Sequence, residues 1–107
     1  MSRFADVLAR LAAVIDSRKG GDPGASYTAR LLADPSLAAK KLGEEAIEAV
    51  IAATQGDSAA LAAESADLIY HWLVVLAGAG VSLDEVAARL EAREGTSGLD
   101  EKAGRKT

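Results

Sequence analysis

Five acidic residues lie in two short stretches of the sequence and are the side chains best suited to chemistry. Glu44, Glu45 and Glu48 lie in the first stretch, and Glu64 and Asp67 lie in the second. On a helix, the first three carboxylates fall within a wedge of roughly 100°, and the last two share a narrower stripe. Each stretch is therefore predicted to present an acidic surface on one side of a helix.

Carboxylates brought together from two helices repel one another, and buried anions without a partner are unfavourable. Lys40 and Lys41 are near, but two cations do not balance five acids. A divalent cation does so compactly, and oxygen ligands three residues apart on two helices suit Mg²⁺ or Mn²⁺. We therefore predict a metal site, with His71 hydrogen-bonding a ligating acid one turn away.

The sequence offers two alternatives to a magnesium site. A single Glu-x-x-Glu pair on a helix is usually a solvated face, but here two such pairs stand on stretches that are otherwise apolar. Di-iron carboxylate bundles use Glu-x-x-His pairs on two helices, whereas this chain has one histidine. The pattern favours the divalent cation.

The elements that must position these acids are predicted to be helices. Apolar residues make up 50% of the chain and aromatic residues only 4%, and alanine is the commonest residue, a composition that favours helix over sheet. Apolar periodicity and capping residues predict helices over about 4–18, 35–53, 58–77 and 83–94, with a short helix or turn at 26–32. The predicted fold class is all-α, an antiparallel bundle of about four to five helices.

The two acid-bearing helices are apolar on nearly every other side, which is typical of helices buried on most sides. One small bundle cannot cover both of them, so we predict a homodimer or a higher homo-oligomer. The length of 107 residues fits a single domain. Residues 96–107 are polar and are predicted to form a mobile tail.

Composition also restricts the partners and the location. A net charge of −4 argues against nucleic acid. The absence of cysteine excludes disulfides, thiolate zinc sites and a cysteine nucleophile. The N-terminus lacks the apolar core of a signal peptide, and the most apolar run, 68–81, is shorter than a membrane span. We expect a cytoplasmic protein without membrane association.

Longer motifs resemble a known family. Glu44-Glu45-Ala46-Ile47-Glu48 followed by Glu64-Ser65-Ala66-Asp67 is similar to the E-E-x-x-E…E-x-x-D pattern of the MazG-type all-α nucleoside triphosphate pyrophosphohydrolases. The segments that flank these acids resemble, more specifically, the phosphoribosyl-ATP pyrophosphohydrolase family; they are 26–29, 40–46, 66–71 and 93–98. The resemblance extends over nearly the whole chain. It implies a MazG-like helical dimer and Mg²⁺-dependent cleavage of phosphoribosyl-ATP between its α- and β-phosphates, the second step of histidine biosynthesis.

The resemblance also implies roles for the acids. Glu45, Glu48, Glu64 and Asp67 are the implied metal ligands, and the implied catalytic set is Glu44, Glu45 and Glu48. Glu44 has two alternatives, since it either orients or deprotonates the attacking water or pairs with a neighbouring lysine.

Hydroxyl and basic side chains suit phosphate oxygens. The predicted substrate-binding residues are Ser26, Tyr27, Thr28, Arg30, Lys40, Lys41, Arg93, Ser97, Lys102 and Arg105. Arg30 stands where the family more often has lysine, which keeps the positive charge. The alternatives are that Ser26 caps a short helix, that Tyr27 is core, that the lysines pair with acids one turn on, and that the tail is merely solvated. Tyr70 and Trp72 are predicted to make core or dimer contacts, with stacking on adenine as the alternative.

Three functions fit the sequence. The predicted function is hydrolysis of phosphoribosyl-ATP, a small-molecule nucleotide. The first alternative is a house-cleaning enzyme of the MazG type that acts on free nucleoside triphosphates. The second is a non-catalytic helical dimerisation module whose acids only line a solvated groove.

Overall fold

Helices account for the regular structure of the chain in the computed structural model, which describes residues 2–95. They are α1 (Arg3–Ser17), α2 (Tyr27–Leu32), α3 (Pro35–Thr54), α4 (Ser58–Ala79) and α5 (Leu83–Glu91). The predicted all-α class and the predicted number of helices are confirmed.

Each helix begins at a residue whose side chain caps it: Ser2, Ser26, Asp34, Asp57 and Ser82. These oxygens accept hydrogen bonds from backbone N–H groups that have no partner within the helix. The cap at Ser26 makes 27–32 a helix rather than a turn, because its hydroxyl accepts from the Ala29 N–H at 3.1 Å. The predicted capping box of Ser82 and Glu85 is present.

Two predicted helix ends are displaced. α4 continues through Gly78 to Ala79, two residues beyond the predicted end, because a helix tolerates an isolated glycine. It stops at Gly80, which adopts a left-handed φ of 73° that glycine reaches without strain. α5 ends at Glu91, three residues early, since the N–H groups of Arg93 and Glu94 bond three residues back instead of four.

The core is built around α4. α3 and α4 are joined only by residues 55–57 and pack against each other as an antiparallel pair. α1 and α2 also pack on α4. Ile15, Leu31 and Val74 are the largest fully buried side chains, one from each of α1, α2 and α4. Burying such a side chain contributes about 1.5–3 kcal/mol, so these contacts hold the short α2 on the long helices.

α3 keeps an apolar surface that the rest of residues 2–95 does not cover. Ile47 is 63% exposed, Val50 60% and Ile51 48%. The prediction that this helix is buried on most sides therefore fails within a single chain. A second copy of the chain remains the prediction for what covers this apolar surface.

α4 is the one helix within residues 2–95 that is long and apolar enough to cross a membrane, by length and composition alone. The apolar run judged too short from the sequence thus belongs to a helix of 22 residues. It packs against α1, α2 and α3 and carries Glu64, Asp67 and His71. These are the features of the central helix of a bundle.

Candidate active site

The antiparallel pairing of α3 and α4 brings carboxylates from both helices together. One oxygen each of Glu45, Glu48 and Glu64 lies within 4.8 Å of the other two. Glu45 and Glu64 are half-buried and Glu48 is exposed. We call these three residues the acid cluster. Its members are three of the four residues that the sequence predicted as metal ligands.

Asp67, the fourth predicted ligand, borders the acid cluster and is exposed. It is not among the three carboxylates within 4.8 Å of one another. Its charge is nevertheless close enough to raise the pKa of both Glu45 and Glu64. The four acids therefore form one electrostatic group.

The acid cluster carries more negative charge than its surroundings balance. Partial burial raises the pKa of Glu45, and the Glu48 carboxyl beside it adds to the effect. For Glu64 the main cause of the raised pKa is the neighbouring Glu48, with which a proton can be shared, followed by burial. Oε2 of Glu45 and Oε2 of Glu64 are buried without a hydrogen-bond partner in the described part of the chain. Buried carboxylate oxygens of this kind fit a hard divalent cation.

Substituting Glu64→Gln is expected to stabilise the metal-free protein at neutral pH. The pKa of Glu64 is raised in the folded state, so its charged form destabilises the fold. This destabilisation is complete when the pH lies above the raised pKa and Glu64 is fully ionised. The gain in melting temperature over wild type should therefore shrink as the pH falls towards 4.5, the ordinary pKa of the group. Thermal melting in EDTA at several pH values measures it. A variant that is less stable than wild type at neutral pH would contradict the repulsion.

Glu44 is paired with Lys41. Lys41 Nζ lies 3.2 Å from Glu44 Oε1, and this bond is the main cause of the raised pKa of Lys41. Both side chains are partly exposed, and ion pairs exposed to water contribute little to stability. Of the two alternatives for Glu44, the structure therefore has the ion pair with Lys41. This ion pair can break at little cost in free energy. Lys40, the residue before Lys41 in the sequence, is exposed.

An aromatic group formed by Tyr27, Tyr70 and His71 adjoins the acids. The Tyr27 hydroxyl lies 3.1 Å from His71 Nε2, and His71 Nδ1 lies 2.7 Å from the backbone carbonyl oxygen of Asp67. His71 therefore bonds Asp67, the acid one turn away, through the backbone carbonyl oxygen of that residue and not through its carboxylate. Tyr27 is 47% exposed, so it is not a core residue.

The sequence did not predict a hydrogen bond for Tyr70, but its hydroxyl hydrogen-bonds the Thr28 hydroxyl. The two residues are 42 positions apart, so no local spacing indicates the contact. Gln55 was also missed: it lines a cleft of about 280 Å³ beside the cluster, together with Glu48, Ile51 and Glu64.

The other predicted substrate contacts within residues 2–95 are Arg30 and Arg93. Arg30 is exposed in the last turn of α2, and Arg93 is exposed in the turn after α5. Ser97, Lys102 and Arg105 lie outside the described residues.

An all-α bundle with acids converging from two antiparallel helices defines the class of MazG-like proteins. Within that class, the family model of phosphoribosyl-ATP pyrophosphohydrolase matches residues 8–94. A phosphoribosyl-ATP pyrophosphatase of Caulobacter vibrioides (strain NA1000 / CB15N) is 71% identical over 103 residues, which cover 96% of each chain. Another, of Cereibacter sphaeroides (strain ATCC 17029 / ATH 2.4.9), is 61% identical over 100 residues, covering 92% of this chain and 97% of the relative. The chain belongs to the phosphoribosyl-ATP pyrophosphohydrolase family, as the resemblance implied.

Proposed function

We propose that the acid cluster is where this chain hydrolyses phosphoribosyl-ATP to phosphoribosyl-AMP and pyrophosphate, with Mg²⁺ as cofactor. The chain is a hydrolase of the phosphoribosyl-ATP pyrophosphohydrolase family, which acts in histidine biosynthesis. The observation that carries the location is the convergence of three carboxylates within 4.8 Å, two of them with a buried oxygen that lacks a hydrogen-bond partner.

Glu45, Glu48, Glu64 and Asp67 are the residues that would hold the metal. When bound, Mg²⁺ or Mn²⁺ neutralises charge on the phosphates and in the transition state. The donor set supports this choice, since carboxylate oxygens suit Mg²⁺ and Mn²⁺, and the described residues bring no thiolate or imidazole into the cluster.

The neighbouring side chains bind and orient the reactants. Lys41 pairs with Glu44 and has its pKa raised by Glu45, so it lies where it can attract the polyphosphate, and Lys40 precedes it on α3. When the pair with Lys41 opens, the Glu44 carboxylate is free to orient or deprotonate the attacking water. Ser26 keeps its hydroxyl on the Ala29 N–H and so fixes the start of α2, which carries Tyr27 and Thr28.

Further substrate contacts are proposed on the resemblance alone. They are Arg30, Arg93, Ser97, Lys102 and Arg105. The substrate is a small nucleotide, and we propose the cytoplasm as its location.

Pyrophosphate release tests this function. We expect Mg²⁺-dependent release from phosphoribosyl-ATP and far slower release from ATP and deoxynucleoside triphosphates. Equal rates on all of these substrates would favour the house-cleaning enzyme. No release from any of them would favour the non-catalytic module.

We also propose that a second copy of the chain covers the exposed side of α3. Ile47, Val50 and Ile51 form an apolar strip there, and such strips on a folded domain mark interaction surfaces. A two-fold dimer buries the same strip twice and so needs one surface only.

Val50→Glu is expected to convert the dimer to a monomer of 11.0 kDa, because a charge buried without a partner opposes association. Light scattering after size exclusion gives the mass. Leu90→Glu is the matched control: Leu90 is as exposed but lies on α5, and the variant should keep the wild-type mass. A monomeric wild type, or a dimeric Val50→Glu variant, would contradict the proposal.

A further inference from the structure

The short helix α2 depends on contacts with the rest of the chain, because six residues do not form a stable helix alone. Leu31, near its end, is fully buried in the core. Its first turn carries Tyr27, which is 47% exposed, so burial alone does not hold that end. The cap formed by Ser26 bonds Ala29 within the same segment and does not attach it to another helix. The start of α2 therefore needs a contact of its own.

Tyr70 of α4 makes this contact. Its ring packs against the buried core and stacks on the ring of Tyr27, with 6.4 Å between ring centroids and 20° between planes. Its hydroxyl forms a hydrogen bond with the Thr28 hydroxyl. A single side chain of the central helix thus contacts both residues at the start of α2.

The start of α2 lies beside the acids. The pKa of Lys41 is raised mainly by its bond with Glu44. Tyr27 and Glu45 add to this increase, so both lie near the lysine. The Tyr27 hydroxyl also lies 3.1 Å from His71 Nε2. A displacement of the first turn would therefore move the Tyr27 ring relative to the lysine and the acids.

We propose that Tyr70 is a positioning residue, which holds the start of α2 through the Thr28 hydroxyl and so keeps Tyr27 in place for the substrate. The inference rests on the proposed function. It assigns the Thr28 hydroxyl to a contact between helices, in place of the predicted contact with phosphate. Without this hydrogen bond the first turn is free to fray, as helix ends do. A substrate must then order that turn as it binds, which weakens binding.

Amide hydrogen exchange of the protein without substrate tests the contact independently of activity. Tyr70→Phe keeps the ring and removes the hydroxyl, so the backbone N–H groups of residues 29–33 should exchange about three- to tenfold faster, the range of one hydrogen bond. Those of α3 should exchange as in wild type. Thr28→Val should act like Tyr70→Phe, whereas Thr28→Ser keeps a hydroxyl and should match wild type. Unchanged exchange of residues 29–33 in Tyr70→Phe would overturn the inference whatever the enzyme's activity.

Steady-state kinetics tests the consequence for the substrate. Tyr70→Phe should raise KM for phosphoribosyl-ATP about three- to tenfold and change kcat less than about twofold. The double variant with Thr28→Val should be no worse than the worse single variant, because both changes remove the same bond. Additive losses would give Thr28 a separate contact with the substrate and overturn the assignment, as would a fall in kcat with KM unchanged. If the wild type released no pyrophosphate, the proposed function would fail, and hydrogen exchange would still decide whether Tyr70 holds α2.

Discussion

Replacing Glu48 with glutamine is expected to lower turnover of phosphoribosyl-ATP by about 10²- to 10³-fold, the loss typical when one electrostatic group of an active site is removed. Glu48 is the residue that links the two helices of the cluster, since it perturbs the pKa of both Glu45 on its own helix and Glu64 on the other. The substitution keeps the shape of the side chain and removes its charge. Steady-state pyrophosphate release at saturating Mg²⁺ measures the effect.

The same variant should fold as well as wild type, because it relieves repulsion among the acids. Its melting temperature without metal should be equal or higher. Glu91→Gln on α5 is the control, with unchanged turnover expected. A Glu48→Gln enzyme with near wild-type turnover would place the reaction elsewhere, and a markedly lower melting temperature would show that the acids stabilise the fold instead of opposing it.

Leu31→Ala is expected to reduce the free energy of unfolding by about 2–5 kcal/mol, the range for leucine truncation in a packed core. Leu31 is fully buried and is the main anchor of α2 in the core with Ile15 and Val74. A helix of six residues has no stability of its own, so its tertiary contacts hold it in place. Denaturant unfolding measures the loss.

Leu90→Ala is the matched control for this truncation. Leu90 is exposed, so the change should stay within about 0.5 kcal/mol. Since α2 carries Tyr27 and Thr28, we also expect the folded Leu31→Ala protein to have a higher KM than wild type. If both leucine variants had the same stability, α2 would not be fixed by its core contact.

The helices could be predicted because their signals are local. Asp34-Pro35 and the capping box at Ser82 mark helix starts within a few residues, and both are present. The predicted end of α4 was less exact. The sequence indicates a helix stop at Gly78, whereas the helix tolerates this glycine and continues to Ala79. Local spacing predicted which acids share a side of each helix, and the packing of α3 against α4 brings three of the five together.

The remaining features of the site depend on contacts between distant segments. Tyr27 and His71 are 44 residues apart, and no periodicity relates α2 to α4. The partner of His71 is a backbone carbonyl, which every residue has, so the sequence could not distinguish it from the Asp67 carboxylate. The single domain and the tail at 96–107 stay predictions.

Calorimetric titration of the metal-free protein with Mg²⁺ tests the central claim, that the acids of α3 and α4 form a metal-dependent active site. We predict saturable binding that Glu64→Gln abolishes and that Glu44→Gln leaves in place, because Glu64 belongs to the acid cluster whereas Glu44 pairs with Lys41. Binding by the Glu64→Gln variant equal to that of wild type, or no binding by wild type, would contradict it.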